Sequence, residues 1–282
     1  MFEMFQLDFI VLAFVVSVII GVMLSYLGVH VVKRGIVFVD LAVGQIASLG
    51  VAFADYVGYG KTIIPIAFAL VGAVLMSFIH IRDKRIKVEA IIGIIYAVAS
   101  AATVMLISKS AHGDSDIQEV LFGNILSVDW MQIRILGLIF LLIALIHFIF
   151  RKKFFELTEH FVTNDTAGDV SAFKLSQSLK FWNFVFYISI GLTIVFAVRT
   201  SGVIPVFSFL IIPAVCGIML ARKNLAIVLA AVAVSLVGAF FGLNVSYHFD
   251  FPAGSSLVAV LGGIFLLVSL IYISRSKKNE KG

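Results

Sequence analysis

Charged residues and cysteines are scarce in this chain of 282 residues, and each shortage excludes a class of protein. Charged side chains make up 13% of the residues, far below the roughly 25% that is typical of soluble domains. A single cysteine, Cys216, lies within an apolar run and excludes an internal disulfide framework. The sequence also has no HExxH pattern and no paired cysteines, so it shows no structural zinc site.

Patterns that would support catalysis are also missing. No Ser/His/Asp arrangement and no pair of catalytic carboxylates emerges, so we expect no catalytic residue and no enzyme activity. The stretch Gly58–Thr62 resembles the end of a phosphate-binding loop, but Asp55 stands where that pattern requires its first glycine. Any ATP hydrolysis must therefore come from another chain, and we expect no covalently bound cofactor.

Apolar residues dominate, at 61% of the chain with a mean hydropathy of +1.13. Continuous runs of about 18–24 residues are each long enough to cross a hydrocarbon core of about 30 Å as a helix. They predict an all-α, polytopic transmembrane bundle of about eight or nine spans, in one domain over residues 1–282. The runs cover roughly residues 9–32, 36–54, 63–80, 90–108, 131–150, 181–198, 203–221, 225–243 and 255–273.

The lysines and arginines predict the orientation of these spans. If the N-terminus lies outside, only Lys61, Lys109, Arg134 and Arg199 fall at the outer ends, and every other lysine and arginine is cytoplasmic. Such a bias favours an outer N-terminus and a cytoplasmic C-terminus. The net charge of +5 therefore indicates topology in a multi-pass inner-membrane protein, and we expect no nucleic-acid partner.

Three polar residues in or directly next to the apolar runs are candidates for a translocation path. Asp40 and Gln45 lie within the second run, where an ionisable group is costly unless it is paired or faces a water-filled path. They are five residues apart, about 140° around a helix, so they would not share one ligand face. Glu89 begins the fourth span, where the helix dipole favours a carboxylate, and it is the third candidate.

Two clusters of imidazole and carboxylate are candidates for metal binding. His112 lies close in sequence to Asp114 and Asp116 in a predicted outer loop, and His248 lies close to Asp250. These donor types suit divalent transition metals, although solvated loop residues explain the same pattern.

Five segments together resemble the permease subunits of metal-type ABC importers, which move zinc, manganese or iron(II). In order they are LGVHVVKRGIVFVDLAVGQIASLGV (27–51), EAIIGIIYAVASAATVMLIS (89–108), VLFGNILSV (120–128), VIPVFSFLIIPA (203–214) and YHFDFPAG (247–254). The resemblance extends from about residue 10 to 272. It implies a membrane permease that pairs with a second copy or a related half, a cytoplasmic ATPase and an extracytoplasmic binding protein. The divalent metal ion is then the substrate.

The resemblance also implies roles for two segments. A cytoplasmic loop at about 151–180 would dock on the ATPase: Ala172 matches the family pattern, Asp169 lies one place beyond its acidic position, and Ser176 replaces its glycine. In the second span the family places an Asp and a His one turn apart as metal ligands. Aligned without gaps, Leu41 and Gln45 occupy those positions, so this chain is similar to a divergent branch of the family.

Two alternatives stay open from the sequence. One is a permease for metal chelates of the siderophore or cobalamin type, which belongs to the same class but accepts a bulkier ligand. The other is a stand-alone secondary carrier coupled to protons through Asp40 and Glu89.

Overall fold

The computed structural model describes residues 3–78, 88–108, 123–166 and 177–279. The secondary structure of these residues is helical. Within these residues there are ten α-helices, two short 3-10 turns (Glu3–Gln6 and Ile125–Ser127) and no strand. The prediction of an all-α chain is confirmed. The chain divides into two compact units, each built from separate stretches of sequence, and the prediction of a single domain stays a prediction.

One unit consists of residues 33–121 and 139–199 and contains most of six helices. α2 is the central helix, because it packs against both α3 and α4. α6 lies within the predicted cytoplasmic loop. The helices are α2 (Val39–Val57), α3 (Ile63–Phe78), α4 (Val88–Ile107), α5 (Trp130–Ile149), α6 (Arg151–Thr166) and α7 (Gln177–Ser201).

The other unit consists of residues 1–32, 122–138 and 200–282. In it, α8, α9 and α10 pack against one another. Small residues allow this close approach, and the Gly238–Gly242 pair of α9 lies against Leu261 and Leu257 of α10. The helices of this unit are α1 (Asp8–Lys33), α8 (Val203–Leu220), α9 (Asn224–Phe249) and α10 (Ala253–Asn279).

Backbone conformation explains where several helices begin and end. α2 follows a turn at Gly35 (φ 67°) and ends at Gly58 (φ 79°), whose N–H donates to the carbonyl of Ala54 at 3.0 Å. Glycine adopts these left-handed conformations without a Cβ clash, which makes it the usual helix terminator. α9 ends instead at Asp250 (φ 55°), a residue type that tolerates the left-handed region.

Seven of the described helices are long and apolar enough to cross a membrane: α1, α4, α5, α7, α8, α9 and the first part of α10. α3 is apolar but has 16 residues, and α2 has 19 residues that include Asp40, Gln45 and Asp55. The chain is therefore a multi-pass helical membrane protein, as the apolar runs predict.

The close contact between α9 and α10 yields a prediction about stability. An added Cβ at Gly242 would lie 2.8 Å from the Cα of Leu257, a backbone atom that cannot move without shifting α10. We expect Gly242→Ala to destabilise the protein by about 1–3 kcal/mol, as overpacking of a well-filled interior does. Thermal unfolding in detergent, followed by the fraction that stays monodisperse, measures the effect.

Gly262→Ala is the matched control, because a Cβ there would meet no described atom within 4 Å. We expect this variant to unfold at the temperature of the unsubstituted protein. Equal unfolding temperatures for the two alanine variants would contradict the close packing.

Candidate functional site

The candidate site lies on α2, which is buried on most of its surface. Gly50 of α2 packs against Pro65 and Phe68 of α3, and Ile46 of α2 packs against Gly72 of α3. These small residues bring the two backbones close together. A helix enclosed in this way keeps its buried polar side chains away from lipid, so each of those side chains faces protein or a path through protein.

Asp40 is the most unusual of these residues, because its side chain is buried with no counter-charge beside it among the residues that the structure describes. The residue is 2% exposed, and neither carboxylate oxygen makes a hydrogen bond of good geometry with any described residue. The backbone N–H groups of Leu41 and Asp40 lie near the carboxylate. α2 begins at Val39, so Asp40 lies in the first turn of the helix and not near its middle. The N–H groups of a first turn are partly positive and favour an anion.

Gln45 and Ser48 continue the polar surface along the same helix. They are 3% and 1% exposed, and the Ser48 hydroxyl has no hydrogen-bond partner among the described residues. In a regular helix Ser48 lies about 80° from Asp40 and about 60° from Gln45, and about 12 Å separates the two ends. We call Asp40, Gln45 and Ser48 the polar strip of α2. It offers carboxylate, amide and hydroxyl oxygens, which are ligands that hard divalent cations prefer.

The other candidate residues that the structure describes are less buried than the polar strip. Glu89 lies in the first turn of α4, as its position before the fourth run predicts, and it is half-buried. His248 and Asp250 are both exposed at the end of α9, where Asp250 terminates the helix. Among the described residues no group of three or more His, Cys, Asp or Glu side chains could hold a metal ion. Metal binding by His248 and Asp250 stays a prediction.

Two sets of predicted residues lie outside the residues that the structure describes. They are the outer-loop candidates His112, Asp114 and Asp116, and the ATPase-coupling candidates Asp169, Ala172 and Ser176.

Sequence reasoning missed a second buried charge, Arg34, which in the sequence counts only as one of the basic residues that indicate topology. It lies on the turn between α1 and α2 and is 9% exposed. Its Nε donates to Thr158 Oγ1 at 3.1 Å, and its Nη1 lies 3.5 Å from Asn183 Oδ1. Its guanidinium carbon stands 3.7 Å from the ring centroid of Phe186, at cation–π distance.

Further aromatic side chains surround Phe186, and the ring centroid of Phe154 lies 6.3 Å from that of Phe186. Phe154 of α6 stacks on His147 of α5 with ring centroids 3.8 Å apart, and it meets Trp182 of α7 edge to face at 5.5 Å. The other members of this cluster lie more than a hundred residues from Arg34 in the sequence, so no local pattern connects them with it. The high aromatic content of residues 148–186 was the one available signal. We call Arg34, Phe154, Thr158, Asn183 and Phe186 the Arg34 cluster.

Comparisons with known proteins agree with the helical architecture. The sequence model of the ABC 3 transport family matches residues 6–272. The chain is 29% identical to the manganese transport system membrane protein MntC of Listeria monocytogenes, over 98% of this chain and 96% of that protein. It is 25% identical to the chelated iron transport system membrane protein YfeD of Yersinia pestis, over 96% of this chain and 87% of that protein.

A solved structure shares the fold. The structure of PsaBC from Streptococcus pneumoniae in complex with Fab matches with a TM-score of 0.76 and 24% identity, over 93% of this chain and 91% of that chain. The family match covers nearly the whole chain and agrees with the resemblance carried by the five segments. The chain therefore belongs to the ABC 3 transport family and is a permease of the metal-type ABC importer class.

Proposed function

We propose that this chain is the membrane-spanning permease of an ATP-driven importer for a divalent transition-metal ion: zinc, manganese or iron(II). A separate cytoplasmic ATPase hydrolyses ATP, an extracytoplasmic binding protein delivers the metal, and a second copy of the chain completes the transporter. Membership of the ABC 3 transport family supports this assignment. Relatives named for manganese transport and for chelated iron transport support the class of substrate.

One observation carries the proposal to a particular site: both oxygens of the buried Asp40 carboxylate lack a hydrogen-bond partner among the described residues. An ionised carboxylate in that position is costly unless a positive charge accompanies it. A divalent cation passing along α2 supplies that charge. Gln45 and Ser48 then offer the next oxygen ligands along the polar strip.

The donor atoms also favour one metal over another. The polar strip offers oxygen atoms as metal ligands. The family pattern has a histidine in this span, and in this chain Gln45 stands in its place. Carboxylate and carbonyl oxygens suit manganese, and imidazole suits zinc. We therefore expect manganese to be the better substrate.

Transport by the reconstituted complex tests the function. The chain is placed in liposomes with its ATPase and its binding protein, and uptake of manganese, zinc and iron(II) is measured with and without ATP. We expect ATP-dependent uptake, with manganese exceeding zinc. If the complex takes up a metal chelate but no free divalent metal, the chelate alternative is supported. Metal uptake that needs no ATP would support the stand-alone carrier.

Replacement of the buried carboxylate tests the role of the polar strip. Asp40→Asn keeps the size of the side chain and removes the charge, so we expect uptake to fall by about tenfold or more, as loss of a charged partner does. Asp55→Asn is the control, because Asp55 lies on the same helix but is exposed and pairs with Lys61 at the surface, at 3.0 Å. Unchanged uptake by the Asp40→Asn variant would remove Asp40 from the path and leave the family assignment intact.

We also propose that α2 and α3 cross the membrane, which gives nine spans, an outer N-terminus and a cytoplasmic C-terminus. In this arrangement Lys61, between α2 and α3, lies outside, and Lys223, before α9, lies inside. A membrane-impermeant maleimide on intact cells should label Lys61→Cys and not Lys223→Cys, both in a Cys216→Ala background. The reverse labelling pattern would contradict the orientation, and labelling of neither site would indicate that α2 and α3 do not cross.

A further inference from the structure

We propose that Arg34 is a positioning residue that transmits movement of the ATPase-docking segment to α2 and its polar strip. This inference rests on the proposed function, because it supposes an ATPase that acts on the cytoplasmic loop. What it adds is the connection through which that action reaches the helix that carries Asp40.

The first step concerns the helices on either side of the docking segment. α6 is described as far as Thr166 and α7 from Gln177, so these two helices flank residues 167–176 in the sequence. Arg34 contacts both of them: its Nε donates to the Thr158 hydroxyl of α6, and its Nη1 donates to the side-chain Oδ1 of Asn183 in α7. One guanidinium therefore joins the two helices that adjoin the predicted docking segment.

The second step concerns what Arg34 is attached to. It lies on the five-residue turn between Lys33 and Val39, directly before α2. Asp40 follows it by six residues, in the first turn of that helix. A displacement of α6 and α7 that carries the guanidinium with it must therefore move the turn from which α2 starts.

The third step concerns the rigidity of the connection. The planar guanidinium presents its donors in a fixed fork, and here it lies against the Phe186 ring at 3.7 Å with Phe161 at 5.7 Å. Thr158 is itself fixed, because its hydroxyl donates to the carbonyl of Phe154 at 2.9 Å. Arg34 thus holds the α1–α2 turn on α6.

The position of Arg34 is unlike that of the exposed basic residues nearby. Arg151, Lys152 and Lys153 at the start of α6 are exposed, and Lys153 makes a surface ion pair with Glu156 at 3.0 Å. Topology alone requires a positive charge near the membrane surface and is satisfied by an exposed one. Burial with hydrogen bonds to two helices is a specific arrangement that topology does not require.

The test measures metal ions transported per ATP hydrolysed by the reconstituted complex of permease, ATPase and binding protein. Arg34→Gln removes the charge and the fork. We expect this ratio to fall about tenfold while ATP hydrolysis continues, because a hydrogen-bonded charge is lost from the connection. Arg151→Gln is the matched control: that arginine also stands over a phenylalanine ring, Phe148 at 5.6 Å, but is exposed, and its ratio should stay within about twofold.

A second variant guards against a general folding defect. Thr158→Val keeps the shape of the side chain and removes the acceptor of the Arg34 Nε–H, so we expect the ratio to fall about threefold. Transport and ATP hydrolysis that fall in the same proportion in both variants would show a merely structural role and overturn the inference. If Arg34→Gln does not assemble, an unchanged ratio in Thr158→Val overturns it. Failure of the unsubstituted complex to import metal would instead overturn the proposed function, and this inference with it.

Discussion

The hydrocarbon interior of a membrane offers no water, so each polar group that enters it must find its partner within the protein. Three buried hydroxyl groups among the described residues show one way in which the requirement is met. Ser17 donates to the carbonyl of Ala13 at 2.7 Å, Thr103 to that of Ala99 at 2.8 Å, and Thr193 to that of Ser189 at 2.8 Å. Each uses the carbonyl four residues earlier in its own helix, and the helix stays intact.

Two buried charges, six residues apart, respond to this constraint in opposite ways. Arg34 is surrounded by a hydroxyl, an amide oxygen and aromatic faces. Asp40 is buried to a similar extent, and its oxygens have no hydrogen-bond partner among the described residues. A charge that forms hydrogen bonds to two helices is suited to holding them together, whereas one whose oxygens have no such partner among the described residues is suited to a transient partner. The contrast is the physical basis for assigning a structural connection to one residue and contact with the cargo to the other.

The sequence predicted the features that depend on composition and on short stretches of chain. Long continuous apolar runs predicted the helices, and five segments indicated the family, because both depend on neighbouring residues. The exact start of α2 depends on the left-handed turn at Gly35, which places Asp40 in the first turn. The apolar run in the sequence begins at about residue 36, three residues before the helix, so it did not locate this start.

The Arg34 cluster was beyond the reach of sequence reasoning because it depends on tertiary contacts. Its hydrogen bonds join residues 124 and 149 positions apart. Hydrophobic periodicity reports which face of a helix is apolar and carries no information on which distant helix covers it. The burial of Ser48 next to Asp40 and Gln45 was missed for a related reason, because a single serine in an apolar helix is common and gives no pattern.

α3 has one side against α2 and another that is open. Gly72 of α3 lies against Ile46 of α2, whereas Val71, Leu75 and Phe78 are exposed. In a bilayer such exposed apolar side chains contact acyl chains, so on this side one helix about 10 Å across separates the lipid from α2. The composition of the surrounding lipid therefore acts on the helix that packs directly against α2, which carries the polar strip.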